Sequence, residues 1–116
     1  MKLSVYGIKN CDTMKKTFIF LEEKGVAYEF TDYKKQKPTA ALLTSFLEKT
    51  PLSTLVNKQG TTYKKMDEAQ KAALENVETA LPILIENSSM IKRPVILYPD
   101  GSITLGFVPD QIGQKI

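Results

Sequence analysis

Residues 6–16 read Tyr6-Gly7-Ile8-Lys9-Asn10-Cys11-Asp12-Thr13-Met14-Lys15-Lys16 and carry a short apolar strand into an amphipathic helix. This stretch contains Cys11, the only cysteine among the 116 residues. The N–H groups at a helix start have no partner within the helix, and together with the helix dipole they favour a negative charge nearby. A thiol at such a place ionises more readily than a thiol free in solution, so Cys11 is a candidate catalytic nucleophile.

The residues around this stretch predict a strand-helix-strand unit. Apolar and polar residues alternate, as in strands, over residues 2–5 and 27–31. Between these segments apolar residues recur at helical spacing, at Met14, Phe18 and Leu21. Gly25 stands where a left-handed residue would end the helix. We expect two parallel strands joined by a right-handed crossover.

The middle of the chain predicts helices. Residues 42–47 show helical spacing, and Pro38 before them would occupy a first-turn position. Asp67 is expected to cap a second helix that runs to residue 74. Thr79 is expected to cap a third helix that runs to residue 87, with Pro82 in its first turn; an earlier start would place a kink at Pro82.

The end of the chain predicts a β-hairpin and a short helix. Residues 95–98 are a continuous apolar run, residues 99–102 form a turn, and apolar residues alternate over 103–107. Residues 109–116 could form one or two helical turns. The order β-α-β, helices, β-β and a short C-terminal helix is that of an α/β thioredoxin-like fold, in one domain over residues 1–116 with a helical insert at about 38–90.

Composition excludes several classes of function. One cysteine forms no internal disulfide, and the first residues do not show the pattern of a secretory leader, so we expect a cytoplasmic protein. No apolar segment approaches the roughly 20 residues that cross a bilayer, so we expect no membrane association. Without histidine the chain lacks the usual ligands of a transition metal, and its lysines lack the aromatic interleaving of a nucleic-acid groove. We therefore expect no bound metal, no bound cofactor and no nucleic acid.

Three separated motifs resemble those of the arsenate reductase-related (ArsC/Spx) family, and most of all its YffB-like branch. They are the opening Val5–Lys16 run, the stretches Leu84–Asn87 and Ile91–Val95, and the pair Gly106-Phe107. The resemblance extends over nearly the whole chain. Asn-Cys-Asp-Thr is quite specific when Lys-Arg-Pro follows it about eighty residues later. The resemblance implies a thioredoxin-like fold with a helical insert, a redox-active Cys11, Arg93 beside it as an anion-binding group, and a cis peptide at Pro94.

The candidate site consists of Cys11 as catalytic residue and of substrate-binding residues at Arg93, Lys9, Asn10, Asp12, Thr13, Pro94 and Gln59. Arg93 could instead be a surface arginine at a helix end, and Lys9 a solvated loop lysine rather than a group that steers anions. Side-chain oxygens of Asp12 and Thr13 are expected to satisfy free N–H groups of the helix start. Gln59 belongs to a polar loop around Gly60 that the family folds near the site, although a simple turn explains this loop equally well.

Two departures from the family narrow the function. Members that reduce arsenate surround the cysteine with three arginines, whereas Arg93 is the only arginine here. Spx uses a Cys-x-x-Cys switch, and Met14 occupies the second cysteine position. A lone cysteine needs an external thiol, so the leading hypothesis is a monothiol reductase with glutathione or a similar thiol as co-substrate. The alternatives are an Spx-like partner of RNA polymerase and an arsenate reductase; a glutaredoxin-like protein is a further candidate partner.

Overall fold

The structure, a computed structural model, describes residues 2–116. Its strands are β1 (Lys2–Gly7), β2 (Ala27–Asp32), β3 (Val95–Leu97) and β4 (Ile103–Leu105). Its helices are α1 (Asp12–Glu23), α2 (Ala40–Leu47), α3 (Leu52–Leu55), α4 (Thr61–Lys64), α5 (Glu68–Ala73), α6 (Val77–Glu86) and α7 (Pro109–Gly113), with a 3-10 turn at Ser88–Met90. The chain forms two compact units: residues up to Gln36 together with Arg93–Ile116 form the first, and Lys37–Lys92 form the second.

In the first unit, β1 and β2 are parallel neighbours with Gly7 opposite Asp32, which confirms the predicted parallel pair. The N–H of Tyr33 donates to the carbonyl of Gly7 at 2.8 Å, so the pairing continues one residue past β2. Gly25 follows α1 with φ of +67°, which is the predicted left-handed helix end. The strand-helix-strand unit therefore forms from local sequence signals that agree with one another.

The β-hairpin is also confirmed. β3 pairs antiparallel with both β1 and β4, so the sheet order is β2-β1-β3-β4. Gly101 adopts a φ of +86° in the turn. The prediction that strand alternation reaches Phe107 is wrong, since β4 ends at Leu105. Gly106 has a φ of +81° and its N–H donates to the carbonyl of Pro94 at 2.9 Å, so the chain leaves the sheet there.

The core of the first unit lies between this sheet and one face of α1, with α7 completing it. Its buried members are Leu3, Val5, Met14, Leu21, Ile96, Tyr98 and Ile112. Full burial of each large apolar side chain contributes about 1.5–3 kcal/mol. Thr17 is the buried polar residue of α1, and its hydroxyl donates to the carbonyl of Thr13 at 2.8 Å. A four-stranded mixed sheet that begins with β1-α1-β2 and ends with an antiparallel hairpin is a thioredoxin-like fold.

The second unit corrects two predicted helix starts. Pro38 is not in the first turn of α2: it precedes the N-cap Thr39, whose hydroxyl accepts the N–H of Leu42 at 3.1 Å. Thr79 does not cap α6, because Asn76 does so by accepting the N–H of Glu78 at 3.0 Å. Pro82 consequently lies inside α6 rather than in its first turn.

Other features of the second unit agree with the sequence or add to it. Asp67 caps α5 as predicted, and it forms a capping box in which its carboxylate accepts the N–H of Gln70 at 2.8 Å. The four-residue helices α3 and α4 were not predicted, because so short a segment cannot display a helical period. The unit has its own buried residues, which are Leu43, Phe46, Leu55, Val56, Leu74, Ala80, Leu84, Met90 and Ile91. The longest helix of residues 2–116 has 12 residues, and none in this range could cross a membrane.

Candidate active site

Cys11 is the N-cap residue of α1. Its backbone is extended, with φ of −135° and ψ of 134°, and its carbonyl accepts the N–H of Lys15 at 3.0 Å as the first helical hydrogen bond. An N-cap side chain faces the N–H groups of the second and third helical residues, which here are Thr13 and Met14. The thiol is half-buried and forms no disulfide, so a reagent can reach it although part of its surface is removed from water.

Opposing effects act on the ionisation of this thiol. Partial burial disfavours the thiolate and raises the pKa of Cys11. Hydrogen bonds from the Met14 N–H, the Arg93 side chain and the Thr13 N–H lower it, and so does the positive charge of Arg93. The lowering effects prevail, so the pKa of Cys11 lies below its ordinary value. These donors and the guanidinium act on the ionised sulfur, which is the form that a lowered pKa favours.

Arg93 is the cation of this arrangement and lies just before β3. Its half-buried side chain hydrogen-bonds with Cys11, so the structure brings together two residues that are 82 positions apart in sequence. The peptide bond between Arg93 and Pro94 is cis, as the resemblance implied. Pro94 is buried, and its carbonyl accepts the N–H of Gly106, which connects the start of β3 to the end of β4.

The three residues that flank Cys11 are polar and lie at the surface or close to it. Asn10 and Asp12 are exposed, and Thr13 is half-buried. The prediction that side chains of Asp12 and Thr13 cap the helix is wrong. Cys11 occupies the capping position, so these two are the first and second helical residues of α1. The contribution of Thr13 is instead its backbone N–H, which hydrogen-bonds to the Cys11 sulfur.

Lys9 lies at the surface two residues before Cys11 and lines a shallow cavity of about 400 Å³. The remaining lining comes from residues 29–32 of β2 and from Lys35 and Gln36. Lysine ammonium groups and the carboxylates of Glu29 and Asp32 therefore border the same space. Such a lining suits a polar ligand with charges of both signs better than a purely anionic one.

Gln59 belongs to the second unit, where it is exposed between α3 and α4. Its N–H donates to the side-chain oxygen of Asn57 at 3.2 Å, which is the local hydrogen bond of a polar turn. Gly60 is the N-cap residue of α4. The substrate-binding role of Gln59 stays a prediction.

Two contributors to the site escaped the sequence analysis. Met14 was identified as an apolar helix position and as the residue in place of a second cysteine, yet its N–H contributes most among the groups that favour the thiolate. The signal was present, because a cysteine at an N-cap implies donors two and three residues later. Gly7 was not singled out at all, although a Cβ at this position would collide with the Met14 side chain. Within residues 2–116 no group of three or more His, Cys, Asp or Glu residues could hold a metal ion.

A thioredoxin-like fold with one cysteine at its first helix start and an arginine beside it is the arrangement that the resemblance implied. The chain belongs to the ArsC family, which matches residues 6–115. An uncharacterised protein of Haemophilus influenzae is 40% identical over 105 residues, or 90% of each chain. The structure of a YffB protein is 41% identical with a TM-score of 0.90 and covers 97% of both chains. An arsenate reductase-related protein from Brucella melitensis is 41% identical with a TM-score of 0.78, and the match covers 98% of this chain and 93% of that one.

Proposed function

We propose that this protein is a monothiol oxidoreductase that reduces disulfides, with Cys11 as the nucleophile and glutathione or a similar small thiol as co-substrate. The observation that carries the proposal is the setting of the only cysteine of the chain. Cys11 is reachable from solvent, and two helix N–H groups and one guanidinium favour its thiolate. The thiolate is the form of cysteine that attacks disulfides, so a lowered pKa raises the reactive fraction near neutral pH.

The reaction has two balanced exchange steps. In the first, the Cys11 thiolate attacks one sulfur of a substrate disulfide, a mixed disulfide forms on Cys11, and the other substrate sulfur leaves as a thiolate. In the second, an external thiolate attacks the mixed disulfide and displaces Cys11 as a thiolate. The two steps reduce the substrate fully when its disulfide already holds one molecule of the small thiol: the rest of the substrate leaves as a thiolate in the first step, and the second step joins two molecules of the small thiol in a disulfide. The external thiol is required because the chain has no second cysteine.

Glutathione suits this role because it is a small thiol with charges of both signs. Arg93 would bind a carboxylate of the thiol or of the substrate once a mixed disulfide has formed. Lys9 and the cavity beside it would bind the other polar groups. A glutaredoxin-like protein is an alternative source of the second thiol. Because such thiols stay reduced in the cytoplasm, we propose that the protein works there.

Arsenate is a less suitable substrate than a disulfide. A multiply charged oxyanion needs several charge-assisted hydrogen bonds, each worth about 1.5–3 kcal/mol. The chain has one arginine to supply them. The names of its relatives refer to arsenate reductase, but we propose that this chain keeps the fold and the nucleophile for thiol chemistry.

Intact-mass measurement after exposure to oxidised glutathione tests the proposal. We expect one glutathione on the wild-type protein, removed by excess reduced glutathione, and none on Cys11→Ser. Serine is a favourable N-cap residue, so this variant should stay folded, which circular dichroism can verify. A coupled thiol-transfer assay should detect activity in the wild type alone. Absence of an adduct on the wild-type protein, or equal activity of the two proteins, would contradict the proposal.

A further inference from the structure

We propose that Gly7 is a positioning residue for the reaction of Cys11. Because Gly7 has no side chain, Met14 can pack against β1, and this packing holds the first turn of α1 next to the Cys11 sulfur. The inference rests on the proposed function, in which Cys11 is the nucleophile. Gly7 is the last residue of β1 and is buried, four residues before Cys11. The effect of Gly7 on the Cys11 sulfur passes through Met14.

Packing explains why residue 7 is glycine. A Cβ at Gly7 would lie 2.6 Å from Sδ, 2.9 Å from Cε and 3.4 Å from Cγ of Met14. Separations below about 3 Å are well inside van der Waals contact, so one of the two residues would have to move. The backbone conformation at position 7 does not require glycine, because the φ of Gly7 is not positive.

Met14 has little freedom to avoid such a contact. Its side chain is fully buried and belongs to the core of the first unit, together with Leu3, Val5 and Leu21. Close-packed interiors transmit a displacement rather than absorb it. The atoms that a methyl group at position 7 would meet belong to the Met14 side chain, so that side chain must shift, and the close-packed core around it passes part of the shift to the first turn of α1.

The displaced turn is the one that serves the nucleophile. Met14 is the third residue of α1, and its N–H is the leading donor to the Cys11 sulfur. A hydrogen bond weakens steeply as its distance and angle depart from the optimum, so a small shift of this turn is sufficient to weaken it. The Arg93 side chain comes from another part of the chain and would remain, so the loss should be partial.

The test compares Gly7→Ala with Gly113→Ala. Gly113 lies in the same unit and has no positive φ, and a Cβ there would meet no heavy atom within 4 Å beyond its own helix, so it is a matched control. Thiolate absorbance as a function of pH, and the rate of reaction with a small aromatic disulfide, are measured on both variants. We expect Gly7→Ala to raise the pKa of Cys11 and to slow the reaction several-fold near pH 7, with recovery at alkaline pH. Gly113→Ala should titrate like the wild type.

A double-mutant cycle with Met14→Ala separates positioning from general destabilisation. Once the Met14 side chain is removed, adding Gly7→Ala should leave the titration of Cys11 unchanged. An equal effect of Gly7→Ala in both backgrounds, or a wild-type titration of the folded single variant, overturns the inference. If Gly7→Ala does not fold, the test uses Met14→Ala and the double variant Gly7→Ala/Met14→Ala. A Cys11 titration that differs between these two proteins overturns the inference. These measurements use no glutathione, so their outcome does not depend on the outcome of the glutathione-adduct experiment.

Discussion

Replacement of Tyr33 by phenylalanine should make the protein more stable. Tyr33 follows β2 directly and is only 1% exposed. Its ring stacks on that of Tyr6 with centroids 6.4 Å apart, and phenylalanine would preserve this contact. Its hydroxyl has no hydrogen-bond partner within residues 2–116. The hydroxyl therefore loses its water on folding without gaining a bond in return.

The expected gain follows from that loss. A buried polar group without a partner costs about 1–3 kcal/mol, and the lower end is appropriate because a small adjustment of the ring can relieve part of the cost. We expect Tyr33→Phe to raise the free energy of unfolding by about 1 kcal/mol. For a chain of this size that corresponds to roughly 4 °C in Tm.

Tyr98→Phe is the matched control with the opposite sign. Tyr98 is also buried, at 5% exposure, but its hydroxyl hydrogen-bonds with the buried Thr104 hydroxyl at 2.7 Å. Its removal loses this bond and leaves Thr104 without a partner, which should cost about 1–3 kcal/mol. Urea unfolding of the wild type and both variants measures the difference, and the midpoints of the two variants should differ by roughly 1 M or more. A Tyr33→Phe variant destabilised as much as Tyr98→Phe would refute the reasoning.

Three further outcomes are expected. Burial raises the pKa of Tyr33, so above about pH 10 the unfolded chain releases the hydroxyl proton while the folded chain keeps it. The free energy of unfolding should therefore fall as pH rises, and the urea midpoint should fall less steeply for Tyr33→Phe than for the wild type. Arg93→Met should raise the pKa of Cys11 in an ultraviolet titration of the thiolate, and an unchanged value would remove Arg93 from the site; Lys9→Ala, which alters a cation outside that contact, should change it less. Asp67→Ala should lower the free energy of unfolding by roughly 0.5–2 kcal/mol in urea, whereas Asp67→Asn should retain most of the cap; equal losses would contradict the capping account.

The elements that the sequence predicted well are those whose causes are local. Alternation over residues 2–5 and 27–31, with helical spacing between them, was sufficient to predict the parallel pair and α1. Gly25 and Gly101 mark a helix end and a turn because only glycine adopts positive φ without strain. Cys11 could be placed at a helix start because it lies between the strand pattern and the helical spacing. The error at the start of α6 arose because two polar residues, Asn76 and Thr79, compete for one cap.

Sequence by itself therefore determined the order of the strands and longer helices, the thioredoxin-like class and the place of Cys11 at a helix start, because these depend on periodicity and on residues within a few positions of one another. The contact of Arg93 with Cys11 was implied by resemblance, and only the tertiary structure decided it, since chain spacing does not specify which distant side chains meet. The same holds for the packing of Met14 on Gly7 and for the unpartnered hydroxyl of Tyr33. Each depends on atomic positions to within a few tenths of an ångström. Close packing sets these positions, and sequence patterns do not record them.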